Sequence, residues 1–158
     1  MPERTADLEL TGRLLIWTGR HWLRSRQRRR DLPGFVVNTL TQLPAGDRLL
    51  LRLEALLALL LTGANRPLVF ACPEASALTR DERSLLLALS AAASGLLPEA
   101  RLVLADCQQG AGLRAAVAAT GELAAALRDA GLRLVPETAI WPLPATAAAA
   151  AACGARTA

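Results

Sequence analysis

The residues able to carry out chemistry in this chain are few. There is one histidine, His21, with no lysine and no tyrosine, and the cysteines Cys72, Cys107 and Cys153 are far apart with no CxxC spacing. A Walker A loop and a Schiff base both need a lysine, and the HExxH zinc motif needs two histidines. His21 stands in a basic stretch, where neighbouring positive charges oppose its protonation as a general base. The sequence therefore predicts a protein that is not an enzyme and holds no metal or cofactor.

One motif fits the pattern of a dinucleotide-binding loop. The run GAGLRA at residues 110–115 matches G-x-G-x-x-[GA], in which the backbone approaches a pyrophosphate at the start of a helix. The pattern indicates a dinucleotide-binding loop only where strands flank it. Residues 101–106 and 132–135 are the candidate strands. A nucleotide-binding domain that uses Gly110 and Gly112 is therefore an alternative hypothesis. A helix at 101–106 would exclude it.

The strongest feature of the sequence is a basic segment near the N-terminus. Seven arginines and no acid fall within residues 13–30, so residues 1–30 carry a net charge of +5 and the rest of the chain −1. Such a segment is a candidate for contact with a negatively charged surface. The indole of Trp17, which lies between the arginines, would stack on a nucleic acid base. Alternatively, the segment would lie on an anionic membrane with Trp17 and Trp22 at its surface. The candidate partner-binding residues are Arg13, Trp17, Arg20, Arg24, Arg26, Arg28, Arg29 and Arg30.

These observations favour a non-enzymatic regulatory or adaptor protein that contacts an acidic protein partner through its arginine-rich helix. A nucleic-acid-binding protein is the alternative, and an anionic membrane is a third candidate surface. No RNA-binding, zinc-finger or helix-turn-helix signature accompanies the arginines. A simpler interpretation, in which the arginines form a solvated face without a partner, stays open. The N-terminus mixes charges and lacks the apolar run of a secretory signal, which predicts a cytoplasmic location.

The elements that must position these residues are predicted to be helices, because Leu and Ala dominate the composition. Apolar spacing predicts a basic helix over residues 7–30, ended by the turn at 31–34, where Gly34 is expected to take the turn conformation. The predicted fold is mainly α, a compact orthogonal bundle of five or six helices. The alternative is a small α/β arrangement with short strands near 67–72, 101–106 and 132–135.

Local signals mark further helices along the chain. Asp47 is a candidate N-cap for a leucine-rich helix that ends near Thr62. Since that helix is apolar on nearly every side, we expect it to be central and the most buried. Thr79 with Glu82 three residues later forms a capping box for the next helix. An alanine-rich helix is expected to end at Gly131.

Residues 1–140 are predicted to form a single helical domain. After Pro136 the composition changes to Ala, Pro and Thr, so residues 141–158 are predicted to be a flexible tail with little apolar surface to bury. The cysteines are expected to be reduced, with Cys72 and Cys107 acting as small buried side chains.

Overall fold

Six α-helices account for most of the computed structural model, which describes residues 4–134. A short 3₁₀ turn at Thr5–Asp7 precedes them. The helices are α1 (Leu10–Gln27), α2 (Gly34–Thr41), α3 (Gly46–Thr62), α4 (Arg80–Ala93), α5 (Leu97–Leu104) and α6 (Gly110–Asp129). The predicted mainly α bundle is confirmed. Over the described range there is no strand, although two isolated bridges join Arg4 to Ala77 and Ala64 to Gln108.

The strands required by the nucleotide-binding hypothesis are not formed. Most of residues 101–106 lies in α5, which begins with Pro98 in its first turn, and residues 132–134 leave α6 as an irregular segment. Gly110 and Gly112 therefore do not follow a strand, and they belong to the first turn of α6. The alternative that uses Gly110 and Gly112 is wrong, because no strand–loop–helix unit surrounds them.

The third candidate strand, residues 67–72, is an irregular loop instead. Its apolar residues favour a strand, yet a strand needs a neighbouring chain to satisfy its backbone. Here the amide of Val69 donates to the carboxylate of Asp81 (2.6 Å), and that of Ala71 donates to Glu82 (3.0 Å). Acids in the first turn of α4 thus bind this loop in place of a β-partner.

The first helix is shorter than the predicted range 7–30. It ends because Arg29 adopts the left-handed conformation, with φ 52°. The amide of Arg30 then donates to the carbonyl of Ser25 (2.9 Å), which is the hydrogen bond of a Schellman cap. Gly34 was expected to take the turn, and it begins α2 instead. An arginine therefore occupies the position where helices usually place glycine.

Two groups of three helices meet along α3 and α6. In the first group α3 packs against α1 and α2, and in the second α4, α5 and α6 contact one another. Buried side chains of α3 and α6 belong to one hydrophobic core. At the surface, Arg48 pairs with Asp129 (3.1 Å) and Arg52 with Glu122 (2.6 Å) across the same two helices.

The leucine-rich helix α3 is central, as predicted, but the expectation that it is the most buried is wrong. Leu53 and Leu57 are 1% and 2% exposed, whereas Leu51 on the opposite side is 61% exposed. Arg52 and Glu54 lie beside Leu51 and share solvent access with it. A larger fraction of α4 is buried. The apolar outer face of α3 is therefore not matched by a second packing partner within the described chain.

Gln108 joins the end of α3 to the start of α6. Its side chain is fully buried, and Nε2 donates to the carbonyl of Leu60 at 2.7 Å. A Cβ atom added to Gly63 would lie 2.5 Å from Oε1 of Gln108, and one added to Gly112 would lie 2.9 Å from it. Oε1 has no hydrogen-bond partner within residues 4–134. Gly112, which suggested a phosphate loop, thus makes room for a glutamine.

None of the six described helices is long and apolar enough to cross a membrane. Cys107 is a free, buried thiol, and burial raises its pKa. Cys72 is partly buried. The predicted domain boundary at residue 140 and the predicted tail 141–158 lie outside the described residues.

Candidate functional site

Arg20, one of the candidate partner-binding residues, does not face solvent. Its side chain is almost completely buried and binds Glu82 through Nε (2.7 Å) and Nη2 (2.9 Å). Nη1 donates to the carbonyl of Ala75 (2.6 Å), and Nη2 also donates to that of Ala77 (2.8 Å). Because every nitrogen of the guanidinium is engaged inside the protein, the assignment of Arg20 to partner binding is corrected to a structural role.

Besides binding the amide of Ala71, the acceptor Glu82 performs two further tasks. With Thr79 it forms the capping box that the sequence predicts for α4, accepting from the amide of Thr79 (2.9 Å) while the Thr79 hydroxyl accepts from the amide of Glu82 (3.1 Å). The same carboxylate receives Arg20 from α1. This Arg20–Glu82 clasp connects the two groups of helices. The sequence does not reveal this contact, because the partners are 62 positions apart and leave no local signal.

Arg24, on the same face of α1, is partly neutralised. Its Nη1 lies 2.7 Å from Oε1 of Glu74, and the side chains are 39% and 70% exposed. The pKa of Glu74 is lowered, first by a hydrogen bond from its own backbone amide and then by Arg24. Glu74 is therefore an ionised surface group at neutral pH. It pairs with an arginine in the last turn of α1.

The four arginines at the end of α1 are all exposed, and we call them the arginine patch: Arg26, Arg28, Arg29 and Arg30. None forms an ion pair within residues 4–134. The patch lies at the C-terminal end of a helix, where the helix dipole favours positive charge. The fold therefore supports the cluster without an acid of its own.

Trp22 is buried beneath this patch. Only 5% of its surface is exposed, and the guanidinium of Arg26 lies 5.2 Å from the centre of its ring. Trp22 is a core residue that supports Arg26 by a cation–π contact. The expectation that Trp22 would meet a membrane surface is wrong, because its ring does not reach the surface.

Trp17 is half-buried and belongs to an aromatic cluster. Its ring centre is 5.1 Å from that of His21 and 5.8 Å from that of Phe35, and the last two are 5.2 Å apart. Beside the cluster is an open cavity of about 460 Å³, which we call the Trp17 groove. It is lined by Thr5, Arg13, Leu14, Ile16, Trp17, Arg20, Thr39 and Pro73.

The structure thus separates the candidate residues into four places. Arg13 and Trp17 line the groove, Arg20 lies in the clasp below it, and Arg24 pairs with Glu74. The arginine patch is at the far end of α1. Groove residues from other segments, Thr5, Thr39 and Pro73, were not predicted, because they carry no motif and meet only in the folded chain.

Burial lowers the pKa of His21 below its ordinary value of 6.5, while Glu74 raises it and Arg24 lowers it to smaller extents. The unfolded chain therefore binds this proton more tightly than the folded one, and stability is lost as the pH falls from 6.5 through the folded pKa. We expect the free energy of unfolding to decrease as the pH falls below about 6.5, the ordinary pKa of histidine. Urea unfolding of the parent and of His21→Gln at several pH values measures this.

The variant His21→Gln should lack that decrease, because glutamine does not titrate. Glu74 has a pKa lowered from 4.5 and titrates below this window. An equal loss of stability in both proteins would show that another group is responsible.

The described residues contain no group of three His, Cys, Asp or Glu side chains able to hold a metal ion. The candidate site is therefore a surface, made of the Trp17 groove and the arginine patch. Comparison of the chain with protein-family models, with curated proteins and with solved structures finds no match.

Proposed function

We propose that this chain is a non-enzymatic regulatory or adaptor protein that binds an acidic protein partner through the arginine patch. The observation that carries the proposal is the exposure of four guanidinium groups within five residues, none of them in an ion pair in the described part of the chain. Like charges so close together repel one another, and a negatively charged partner relieves that repulsion.

Several arginines elsewhere are used differently. Arg66 is an example: its guanidinium lies 2.6 Å from both Asp81 and Asp106, and the pKa of Arg66 is raised by these contacts. Such residues hold the protein's own segments together. The arginines that do this are Arg20, Arg24, Arg48, Arg52, Arg66 and Arg80. By comparison, the charge of the patch is left available to another molecule.

The conformation of Arg29 supports the same proposal. A side chain in the left-handed region costs about 1 kcal/mol, and glycine would avoid that cost. We therefore expect Arg29→Gly to raise the free energy of unfolding by about 1 kcal/mol and to weaken binding to a polyanion. Urea unfolding and fluorescence anisotropy with labelled poly-L-glutamate measure the two effects.

Ala45 offers a matched control, since it has φ 54° at the start of α3, away from the patch in sequence. Ala45→Gly should also stabilise the protein, but it should leave poly-L-glutamate binding unchanged. If Arg29→Gly binds as tightly as Ala45→Gly, then Arg29 takes no part in the contact.

The direct test replaces all four patch arginines with Gln. A control replaces four other exposed arginines, Arg101, Arg114, Arg128 and Arg133, so that both variants lose the same charge. The patch variant should remain folded and lose most binding to poly-L-glutamate, whereas the control should lose little. Binding by the parent should also weaken steeply as salt is added. Equal losses in the two variants would show that only net charge matters.

The same salt series with short duplex DNA and with anionic vesicles compares the other two partner classes. Tighter binding of the parent to duplex DNA than to poly-L-glutamate would favour the nucleic-acid alternative. Preference for vesicles would favour a membrane surface, although the burial of Trp22 argues against it. The cytoplasmic location stays a prediction.

A further inference from the structure

The Trp17 groove has the character of a receptor for an apolar side chain. Its volume of about 460 Å³ is in the range of cavities that bind small organic groups. Leu14, Ile16 and Pro73 add apolar surface to that of Trp17. Arg20 also lines the groove, but its guanidinium is held by the clasp, so the exposed cation among the lining residues is Arg13. The apolar lining therefore suits an apolar group, and Arg13 is left to pair with a charge beside that group.

By helical spacing, two exposed cations fall on the same side as Trp17: Arg13 in α1 and Arg28, the C-cap residue that follows α1. Arg13 precedes Trp17 by four residues and Arg28 follows it by eleven, spacings that return to one helix face. With about 1.5 Å of rise per residue, they lie about 6 Å and 17 Å from Trp17 along the helix. An extended peptide covers about 3.3 Å per residue, so these distances correspond to roughly two and five of its residues.

Glu74 separates the two cations and limits what can bind across them. It is ionised, mostly exposed and paired with Arg24, so the part of this face between Arg13 and Arg28 offers no net positive charge to a ligand. A nucleic acid carries a phosphate on every nucleotide and would place charge next to Glu74. A peptide with acids only at its two ends would not. A bilayer surface does not enter a concave groove.

We propose that the Trp17 groove binds an apolar side chain of the acidic partner, and that carboxylates on either side of this anchor pair with Arg13 and Arg28. The proposal rests on the function proposed above and names the partner more closely. It predicts a segment with an acid roughly two residues to one side of an apolar residue and another acid roughly five residues to the other side. The charges would guide the encounter, and the anchor would provide specificity.

Selection from a displayed library of random peptides, about twelve residues long so as to exceed the span of the two cations, tests this on the full chain. We expect enriched sequences to share an apolar residue with acids at the two predicted separations. Enrichment of acidic sequences without a shared apolar position would overturn the groove proposal and leave the acidic-partner proposal standing. Enrichment of sequences without acids, or no enrichment, would contradict both.

The most enriched peptide then serves as the probe in anisotropy measurements with two threonine variants. Thr39 lines the groove and Thr41 does not, although both are exposed residues of α2 whose hydroxyls donate to backbone carbonyls of that helix. Thr39→Glu should weaken peptide binding at least tenfold, because it places a carboxylate where the anchor sits. Thr41→Glu should change it less than twofold. Equal effects of the two variants would show that the peptide binds elsewhere.

A second pair of variants tests the flanking charges. Arg28→Gln should weaken the enriched peptide several-fold and reduce the salt dependence of its binding, whereas Arg114→Gln on α6 should do neither. If Arg28→Gln has no effect while Thr39→Glu does, the anchor is correct and the proposed pairing with Arg28 is wrong. If Thr39→Glu binds the peptide like Thr41→Glu, and Arg28→Gln binds it like Arg114→Gln, the groove is not a binding site.

Discussion

Replacement of Arg20 with Met is expected to lower the free energy of unfolding by about 3–5 kcal/mol, the usual cost of removing one partner from a buried ion pair. The variant would leave the carboxylate of Glu82 inside the protein without its positive partner. The carbonyls of Ala75 and Ala77 would each lose a donor as well. Urea unfolding followed by circular dichroism measures the loss.

Arg24→Met provides the matched control. Arg24 is on the same helix as Arg20 and forms an ion pair at the surface with Glu74, the residue before Ala75. Exposed pairs contribute about 0–1 kcal/mol, so this variant should lose no more than that. The clasp would be unimportant if both variants lost the same amount. The double variant Arg20→Met/Glu82→Gln should be less destabilised than the sum of its single variants, because the first change removes the interaction that the second would break.

The second large effect is expected at the interface of α3 with its neighbours. Leu53 is 1% exposed, and Leu53→Ala should lower the free energy of unfolding by about 2–5 kcal/mol through lost burial and a residual cavity. Leu57→Ala should behave similarly, since Leu57 is equally enclosed. Thermal and urea unfolding of both variants measures the change.

Leu51→Ala is the control for this prediction. Leu51 lies on the same helix but is mostly exposed, so its replacement should change stability by no more than about 0.5 kcal/mol. A large loss in Leu51→Ala would reveal that the outer face of α3 is covered by something beyond the described residues. Parent-like stability of Leu53→Ala would contradict the central position of α3.

Much of the fold was predictable because its helices begin and end at local signals. The capping box of Thr79 and Glu82 starts α4, and Pro98 lies in the first turn of α5. Gly131, with φ 71°, follows the end of α6. Each of these signals involves only four or five consecutive residues, so it can be recognised from the sequence alone.

The errors arise where distant segments decide the structure. Residues 67–72 have strand-forming composition, but the carboxylates of Asp81 and Glu82 bind their backbone instead of a neighbouring strand. Arg29 occupies a position that statistics assign to glycine. No pattern of neighbouring residues distinguishes these cases from the ordinary ones.

The candidate site was predictable to a similar degree. Helical spacing correctly placed Arg13 and Trp17 on one face, and the charge count located the arginine patch. The same spacing wrongly assigned Arg20 to the binding surface. The spacing of arginines on a helix face does not show which of them pairs with a buried acid. The groove itself needed Thr39 and Pro73, which only the fold brings together.

The residue at position 108 restricts which residues can be accepted at positions 63 and 112 as the sequence evolves. While a glutamine stands there, any side chain at Gly63 or Gly112 collides with its amide oxygen. Both glycines are therefore constrained while Gln108 is present. A shorter residue there would relieve Gly112, whereas a Cβ atom at Gly63 would still lie 3.2 Å from the carbonyl oxygen of Leu59. The shorter residue would leave the carbonyl of Leu60 without its donor, so a chain with that change alone is less stable than the parent. The order in which the three positions can change is set by one amide side chain.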